Sequence, residues 1–556
     1  MHRFDKKALE VFKHAAVIGD EFEFDVLAEI LDIDEDELDD ILRQGIVGWI
    51  LKEQKSAIGD SFRFHNSVLR RALYSSMAKA NQRKVHAKVA KTIESLQGSK
   101  KDRVVGQIAY HYYWGAQWQK AFSPAVKAGE IARKREAFAE AASYFRYSRE
   151  AMEQLQAIGI KIDTILAGKM HVGLSEALII LNKFDDAEKE LTKIFDLANQ
   201  EHNISLRAWG EFFSSRYHQA RSAMKRAVEL AKLGLESIAE SDINDDELHR
   251  RLLQQLGYTL WMSGQMDAAQ EPLEKAVAIA EASTDNRPAG WALSYLGLIH
   301  CFRGNGTLAM ELGEKGLKLL RASGDRVSEM FAWERVGIIF SMLGDQDRAL
   351  YFFENGLELA RAIGHQHQQA LMYIDLGEAN RLKNNLVQAE QHYQKALTIA
   401  RQIERSDVEA ISIQNLGLVA IAREQFAEAA QMLEKSLILF QAQHRGISEA
   451  EVYWALGKAR EGLGEINTAL ENYQHAAKFC NNLSYLDYEW RALLGQGSIL
   501  TKKKSYQEAK KVINEAIAVI EKMKSQLPEG ANLKTFLEDK QPVYDLLAKL
   551  KERREE

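Results

Sequence analysis

The side chains best equipped for chemistry in this chain are few, and they stand far apart. Asp32, Asp34 and Asp36 have the alternate spacing with which a calcium loop begins. Such a loop needs a glycine at its sixth position and a glutamate at its twelfth. Glu37 and Arg43 stand there instead, so the sharp turn and the bidentate ligand are both missing. His365 and His367 make a His-x-His pair, but no further metal ligand lies close in sequence, and zinc takes three or four. A solvated turn is the expectation for them. Gly98-Ser99-Lys100 has the ending of a phosphate loop. It lacks the upstream glycine that lets backbone N–H groups wrap a phosphate. No complete phosphate loop, HExxH helix, CxxC pair or nucleophile elbow occurs. The expectation is a protein that is not an enzyme and takes no cofactor and no metal.

That leaves binding surfaces and the elements that hold them. Glycines recur at 257, 297, 337, 377, 417, 457 and 497. Twelve residues after each stands Ala269, Ala309, Ala349, Ala389, Ala429, Ala469 or Ala509. Four further on is a bulky residue, such as Phe353, Tyr393 or Tyr473, with Gly313 the exception. A fixed period with small residues at fixed phases predicts stacked helix pairs. A small residue in the first helix lets the second cross it closely, and large residues fill the space between pairs. Before Ala187 the spacing is irregular; Ala187 and Ala227 stand 40 apart, and the step from Ala227 to Ala269 is 42. Cys301 and Cys480 lie about four such units apart, out of disulfide reach for helices packed roughly 8–10 Å from one another.

The Leu-Gly pairs at 256–257, 296–297, 376–377, 416–417 and 456–457 resemble the mark of the tetratricopeptide (TPR) repeat. The usual unit there is shorter, so a 40-residue period implies longer helices and Gly-containing turns, such as Ser323-Gly324-Asp325 and Ile363-Gly364-His365. The resemblance implies an all-α, right-handed superhelical solenoid whose first helices line the concave side. Residues two before, one after and five after each glycine then face the groove. They are Gln255, Tyr258, Met262, Tyr295, Leu298, Phe302, Arg335, Ile338, Met342, Asp375, Glu378, Leu382 and Asn415, with Arg381 beside them. An apolar, aromatic run beside charged anchors suits capture of a protein or peptide segment.

Residues 1–97 follow another pattern. Helical periodicity over 5–18 and 24–31 precedes Asp34 and Glu37, a helix start ahead of Leu38, Ile41 and Leu42. Trp49–Lys52 and Ser61–His65 predict a two-stranded wing around Gly59-Asp60. The order is winged-helix-like. Residues 1–42 hold 4 basic and 14 acidic side chains, and residues 43–103 hold 14 basic and 4 acidic. The helix before the wing is among the acidic ones, and phosphates would repel it, so DNA is an unlikely partner. Phe62-Arg63-Phe64-His65, Val68-Leu69-Arg70, Ala72-Leu73-Tyr74 and His86 resemble a stretch of STAND-class signalling ATPases, where it follows the nucleotide-binding domain and precedes TPR repeats. Ala16-Val17-Ile18-Gly19 with Phe22, Ile108-Ala109-Tyr110-His111-Tyr112 and Ala128-Gly129-Glu130 extend the likeness. Asn66 stands where that family more often has histidine. With no phosphate loop among these residues, the expectation is a chain without the ATPase domain, as a fragment or an orphan effector half, and the activity does not carry over.

The expected domains are 1–97, irregular hairpins over 104–240, the regular array over 241–526 and a capping helix over 527–556. Five prolines in 556 residues leave helices uninterrupted. A net charge of −6 excludes a global pull towards nucleic acid or anionic membrane, and no 18-residue apolar run exists to span a bilayer. Free thiols suit the cytoplasm. The function expected is a scaffold or sensor arm that binds a protein or peptide in the groove, as a regulator of a STAND-type ATPase. The alternatives are a transcription regulator that contacts DNA through the wing, or a small-molecule signal sensor.

Overall fold

The computed structural model describes residues 4–31, 33–55, 60–96, 101–221, 223–239, 245–283, 287–443, 446–483, 485–525 and 533–552. Asp32, Gly59, the Gly98-Ser99-Lys100 stretch and Pro528 fall outside them. The chain forms two compact units, Met1–Gly264 and Gln265–Glu556.

The first unit opens with α1 (Lys6–Ile18), β1 (Glu21–Glu23), α2 (Phe24–Leu31), α3 (Glu35–Val47), β2 (Leu51–Lys55), β3 (Asp60–Phe64), α4 (Ser67–Ser75) and α5 (Lys79–Leu96). Asp34 caps α3 by accepting from the Asp36 and Glu37 amides, so one member of the aspartate run is a helix cap. β3 lies between β1 and β2, antiparallel to both. The expected hairpin is present, but its first strand starts at Leu51. Trp49 adopts φ 58 and closes the end of α3, with its amide bonded to Ile46 O. β1 is an addition to the expected pair; three residues are too short to show alternation.

Helix pairs follow: α6 (Lys101–Trp114), α7 (Trp118–Lys134), α8 (Phe138–Ala157), α9 (Thr164–Ile180), α10 (Phe184–Gln200), α11 (Ile204–Ala220), α12 (Met224–Ala239) and α13 (Asp246–Met262). The glycine phase reaches back further than the strict beat. A Cβ on Gly129 would meet the Phe145 ring at 2.7 Å, and fully buried Ser175 and Ser215 stand twelve residues before Ala187 and Ala227.

The second unit contains α14 (Met266–Ala282), α15 (Arg287–Phe302), α16 (Gly306–Ser323), α17 (Arg326–Met342), α18 (Gln346–Ala362), α19 (Gln366–Leu382), α20 (Leu386–Gln402), α21 (Ser406–Ala422), α22 (Phe426–Ala442), α23 (Gly446–Gly462), α24 (Ile466–Leu483), α25 (Leu486–Lys502) and α26 (Tyr506–Ser525). It is an all-α solenoid of TPR-type hairpins. A Cβ on Gly337 would lie 2.5 Å from the Phe353 ring, on Gly377 2.5 Å from Tyr393, and on Gly457 2.5 Å from Tyr473. Each bulky residue thus seats on the glycine sixteen positions before it. Where Gly313 replaces the bulky residue, backbones close in instead: a Cβ on Gly297 would reach Ala309 O at 3.0 Å and Gly313 N at 3.1 Å. Ile339 of the next pair fills the remaining space. α27 (Leu533–Glu538) and α28 (Gln541–Glu552) end the chain, and α28 lies on α25 and α26 with Val543 and Leu550 buried.

The 40-residue period divides in two. α17 to α23 are each 17 residues long. Left-handed residues end the helices at Gly304, Gly324, Gly344, Gly364, Asn384, Glu404, Glu424, Gly464 and Lys504. A side chain there clashes with the following carbonyl, which glycine avoids. Glu424→Gly should therefore raise stability and Gly344→Ala lower it, each by about 1 kcal/mol. Denaturant midpoints read the pair, and equal shifts of one sign would refute the assignment.

A histidine pair joins the N-terminal elements to α6. His86 Nδ1 of α5 and His111 Nδ1 of α6 lie 2.8 Å apart, buried, and Tyr74 Oη is 3.1 Å from His86 Nε2. The His111 ring also bonds the Ile18 backbone carbonyl. A carbonyl only accepts, which orders the chain: His111 Nε2–H donates to Ile18, His86 Nδ1–H to His111, and Tyr74 O–H to His86. Both imidazoles must be neutral. Burial lowers His86 to about 4; burial and then the neighbouring His86 lower His111 to about 3. The unfolded chain binds more protons below its ordinary value near 6.5, so stability falls as pH drops from there towards 4. Wild type should lose about 4 kcal/mol more than His86→Leu/His111→Leu between pH 7 and pH 5, about 2 kcal/mol for each imidazole, measured by urea unfolding at both pH values.

Candidate functional site: the inner face of the second unit

Consecutive first helices of the second unit pack directly on one another: α15 on α17, α17 on α19, and so on to α25. Consecutive second helices do not approach to the same extent. The first helices therefore form the inner side of the stack, and residues on their free stripe share one face.

Five repeats contribute polar and aromatic groups to it. On α15, the rings of Trp291 and Tyr295 meet at a tilt of 49° with centres 4.5 Å apart. The guanidinium of Arg335, on α17, lies 4.1 Å over the Tyr295 ring and 5.9 Å from Trp291. Arg335 is only 4% exposed, yet its Nε and Nη1 have no hydrogen-bond partner. Beside it on α17, Glu334 is crowded by protein but keeps some solvent access. Burial raises its carboxyl above the usual range, against the pull of Arg335. Asp375 of α19 is pushed up well above that range by burial, and then by the negative charges of Glu334 and Glu378. Its Oδ2 is buried without a partner. Gln368, fully buried at the start of α19, lies beside Glu334 with neither amide atom in a hydrogen bond of normal geometry.

Further along, the polar groups are satisfied. Arg381 holds Glu378 through two bonds of 2.8 and 2.6 Å, and Tyr393 Oη donates to the same carboxylate at 3.1 Å. Glu451 of α23 accepts from Tyr485 Oη at 2.8 Å and from Gln414 Nε2 at 3.2 Å. Asn415 is partly buried on α21. Phe302, Met342 and Leu382 close the first helices as a row of exposed apolar side chains, 47%, 44% and 50% accessible. Leu298 is 2% exposed and packs in the core, and Ile338 rests half-buried against the α17–α18 core.

Gln255, Tyr258 and Met262 lie on α13 and belong to the first unit. Gln255 Nε2 donates to Ser215 Oγ at 3.1 Å and Gln219 Oε1 at 2.9 Å, so it braces α13 to α11. Tyr258 lies parallel to Trp261, and Met262 is exposed. Charged groups on the first helices of that unit are paired: Glu176 of α9 takes Arg133 of α7 at 3.0 Å and Arg216 of α11 at 3.4 Å.

The other candidates resolve into structure. His365 caps α19, its Nδ1 accepting from the Gln368 amide at 3.2 Å. Cys301 and Cys480 are buried free thiols, pushed up by burial to about 11 and about 12. Sequence phasing did not select Trp291, Glu334 or Gln368. Trp291 sits one turn before Tyr295 on the same stripe, a signal that was available. Gln368 meets Glu334 only because two helices pack, and nothing in its local sequence announces that.

No family model matches the sequence, and no curated protein does. Among solved structures, the chain is similar to a Rap protein complexed with Competence and Sporulation Factor, at 14% identity over 66% of this chain and all of that one, with a TM-score of 0.48. It is also similar to a Signal Transduction ATPase with Numerous Domains with a tetratricopeptide repeat sensor from Pyrococcus horikoshii, at 13% identity over 92% of this chain and 66% of that one, TM-score 0.39. The apo form of the quorum sensor NprR from B. thuringiensis matches at 12% identity over 64% of this chain and all of that one, TM-score 0.48. At such identities and scores these likenesses decide nothing about activity.

The Asp375 environment has a stability signature. A carboxyl raised in the folded state favours folding while protonated and loses that contribution as pH rises through its shifted value. Asp375→Asn should therefore stabilise the protein by about 1 kcal/mol or more at pH 8 and by much less at pH 5. Thermal unfolding at the two pH values checks this; a destabilised variant at pH 8 would show Asp375 to be a structural partner.

Proposed function

We propose that this chain is a non-catalytic binding protein that holds a segment of another protein along the inner face of its second unit. The observation that carries the reading is the contrast between the two inner faces. In the first unit Arg133 and Arg216 are both paired with Glu176. In the second, Arg335, Gln368 and Asp375 keep buried polar atoms without partners. Such atoms cost of order 1–3 kcal/mol each in a folded protein, a cost that a ligand able to pair them would relieve. The exposed row of Phe302, Met342 and Leu382 beside them offers apolar contact to the same segment. As a sensor arm, the unit would couple capture of that segment to a STAND-type ATPase partner. DNA suits the N-terminal elements poorly, because Glu35, Asp36 and Glu37 crowd the first turn of α3. No helix among the described residues is long and apolar enough to cross a membrane.

Phe302→Ser/Met342→Ser/Leu382→Ser removes the apolar row without touching the core. It should weaken partner binding by roughly tenfold or more, about 1.4 kcal/mol, in quantitative co-purification, with the melting temperature unchanged. Binding that survives both this variant and Tyr295→Ala/Arg335→Ala would move the site to another surface.

A further inference from the structure

Glu211 stands where the solenoid elsewhere seats an apolar filler. Four residues before each of the regularly spaced glycines is a side chain that occupies the gap between successive second helices. Arg321 of α16 lies 5.4 Å over the Trp333 ring of α17, and Phe352 of α18 meets the same ring at 5.5 Å. Tyr373 of α19 lies between Arg361 of α18, at 5.6 Å, and His392 of α20, at 5.9 Å. Tyr453 of α23 lies between Gln441 of α22, at 3.3 Å, and His475 of α24, at 5.1 Å. Leu253, Leu293, Ile413 and Leu493 take the phase in the other repeats and are all buried. In α9 and α11 the phase is set by Ser175 and Ser215, so the residues at issue are His171 and Glu211. His171 closes its gap through a bonded set: Glu190 takes His171 Nδ1 at 2.6 Å and Arg149 at 2.5 Å. Glu211 leaves its gap open.

A cavity of about 350 Å³ remains there, in the size range of small-molecule sites. α11 forms its floor, and α10 and α12, both packed on α11, form its walls. Leu191 and Phe195 line one wall, Leu230 and Leu233 the other. Glu211 lies on the floor, 4% exposed, and accepts from Ser237 Oγ at 2.9 Å and from Arg207 Nε at 3.3 Å. A carboxylate has about four acceptor positions, so these two bonds leave it able to take more. Ser214, 7% exposed, lines the same cavity and makes no side-chain hydrogen bond among the described residues. Charge is uneven along the cavity. At one end Glu211 and Glu236 have Arg207 alone against them. Burial raises the Glu211 carboxyl above the usual range, against the bonds from Ser237 and Arg207, and Glu236 adds to the rise. At the other end the charges balance. Arg226 holds Glu229 at 3.0 Å, and Arg221, bonded to Tyr217 Oη at 2.7 Å, has Glu188 nearby. His218 is kept low there by burial and then by Arg226 and Arg221, so its ring is neutral.

We propose that the cavity between α10 and α12 binds a small aromatic amine, with its ring between the apolar walls and its ammonium on Glu211. The ring takes the place that Trp333, Tyr373 and Tyr453 hold in their own repeats, where a ring already spans the same gap. The ammonium has three N–H donors, and it supplies the cation that Glu211 and Glu236 lack. The Ser214 hydroxyl accepts a second of its N–H groups. An acid of the same shape meets the Glu211 charge instead and is repelled. The site belongs to the first unit and uses no residue of the inner face of the second, so it stands or falls separately from segment capture.

Isothermal titration calorimetry of the full chain at neutral pH tests this with three probes: tryptamine, indole-3-propionate as an anion of similar shape, and butylamine as an ammonium without a ring. Tryptamine should bind roughly tenfold or more tighter than either of the others. Glu211→Gln keeps the size of the side chain and should bring tryptamine and indole-3-propionate to within about threefold of one another. Glu211→Trp fills the cavity as Trp333 does in its repeat, and should abolish tryptamine binding while raising the melting temperature. Glu211→Gln, which leaves both apolar walls in place, carries the decision if the tryptophan variant does not fold. No binding of tryptamine at millimolar concentration overturns the site. So does equal affinity for indole-3-propionate, or tryptamine binding that Glu211→Gln leaves unchanged. Binding of butylamine as tight as tryptamine would show a bare cation site and overturn the aromatic part of the assignment.

Discussion

The seating of one bulky side chain on one glycine is the contact on which the solenoid depends. Phe353 on Gly337, Tyr393 on Gly377 and Tyr473 on Gly457 bring the two helices of a pair so close that a single added carbon would fall about 2.5 Å from the ring. That closeness sets the crossing of each pair, and the crossing places the next first helix against the last. Because the contact returns every 40 residues, the first helices are brought side by side. The inner face is a consequence of what happens between the helices behind it. At Gly297 and Gly313 the same crossing is reached by removing both side chains, and Ile339 of the following pair fills the gap.

A surface built this way repeats in backbone and varies in side chain. The two units use it differently. In the first, the inward charges are spent on cross-bracing, through Arg133, Glu176 and Arg216 and through Gln255 with Ser215. In the second, Glu378 and Glu451 are satisfied by their own neighbours, whereas Gln368 and Asp375 keep buried polar atoms without partners. Unsatisfied buried polar groups lower stability, and a fold keeps them where binding needs them. The His86–His111 chain works in the opposite sense: every ring nitrogen has a partner, and the arrangement holds α1, α4, α5 and α6 together.

Much of this was legible beforehand, and the misses share a cause. The period located each first helix and its inward phases, so Tyr295, Arg335 and Asp375 were named from spacing. The turns at Gly324 and Gly364 were read from composition. Phase gives direction and not depth, however. Leu298 and Tyr258 share a phase, yet Leu298 is almost wholly buried. Nor does phase show where one compact unit ends, so Gln255 and Tyr295 looked like neighbours on one surface although they belong to different units. The start of β2 was misread because Trp49 adopts a left-handed conformation that a tryptophan rarely takes.

By itself, the sequence determined the helical repeat and the phases from which side chains turn inward. These follow from covalent periodicity, since the rotation per residue and the spacing of small side chains are written into the chain. Only the tertiary structure decided which inward charges are cancelled and which are left over. Whether Glu176 finds Arg133, or Asp375 finds none, depends on distances between helices that are some 40 residues apart in the chain. Those distances exist only after the rings have settled on their glycines.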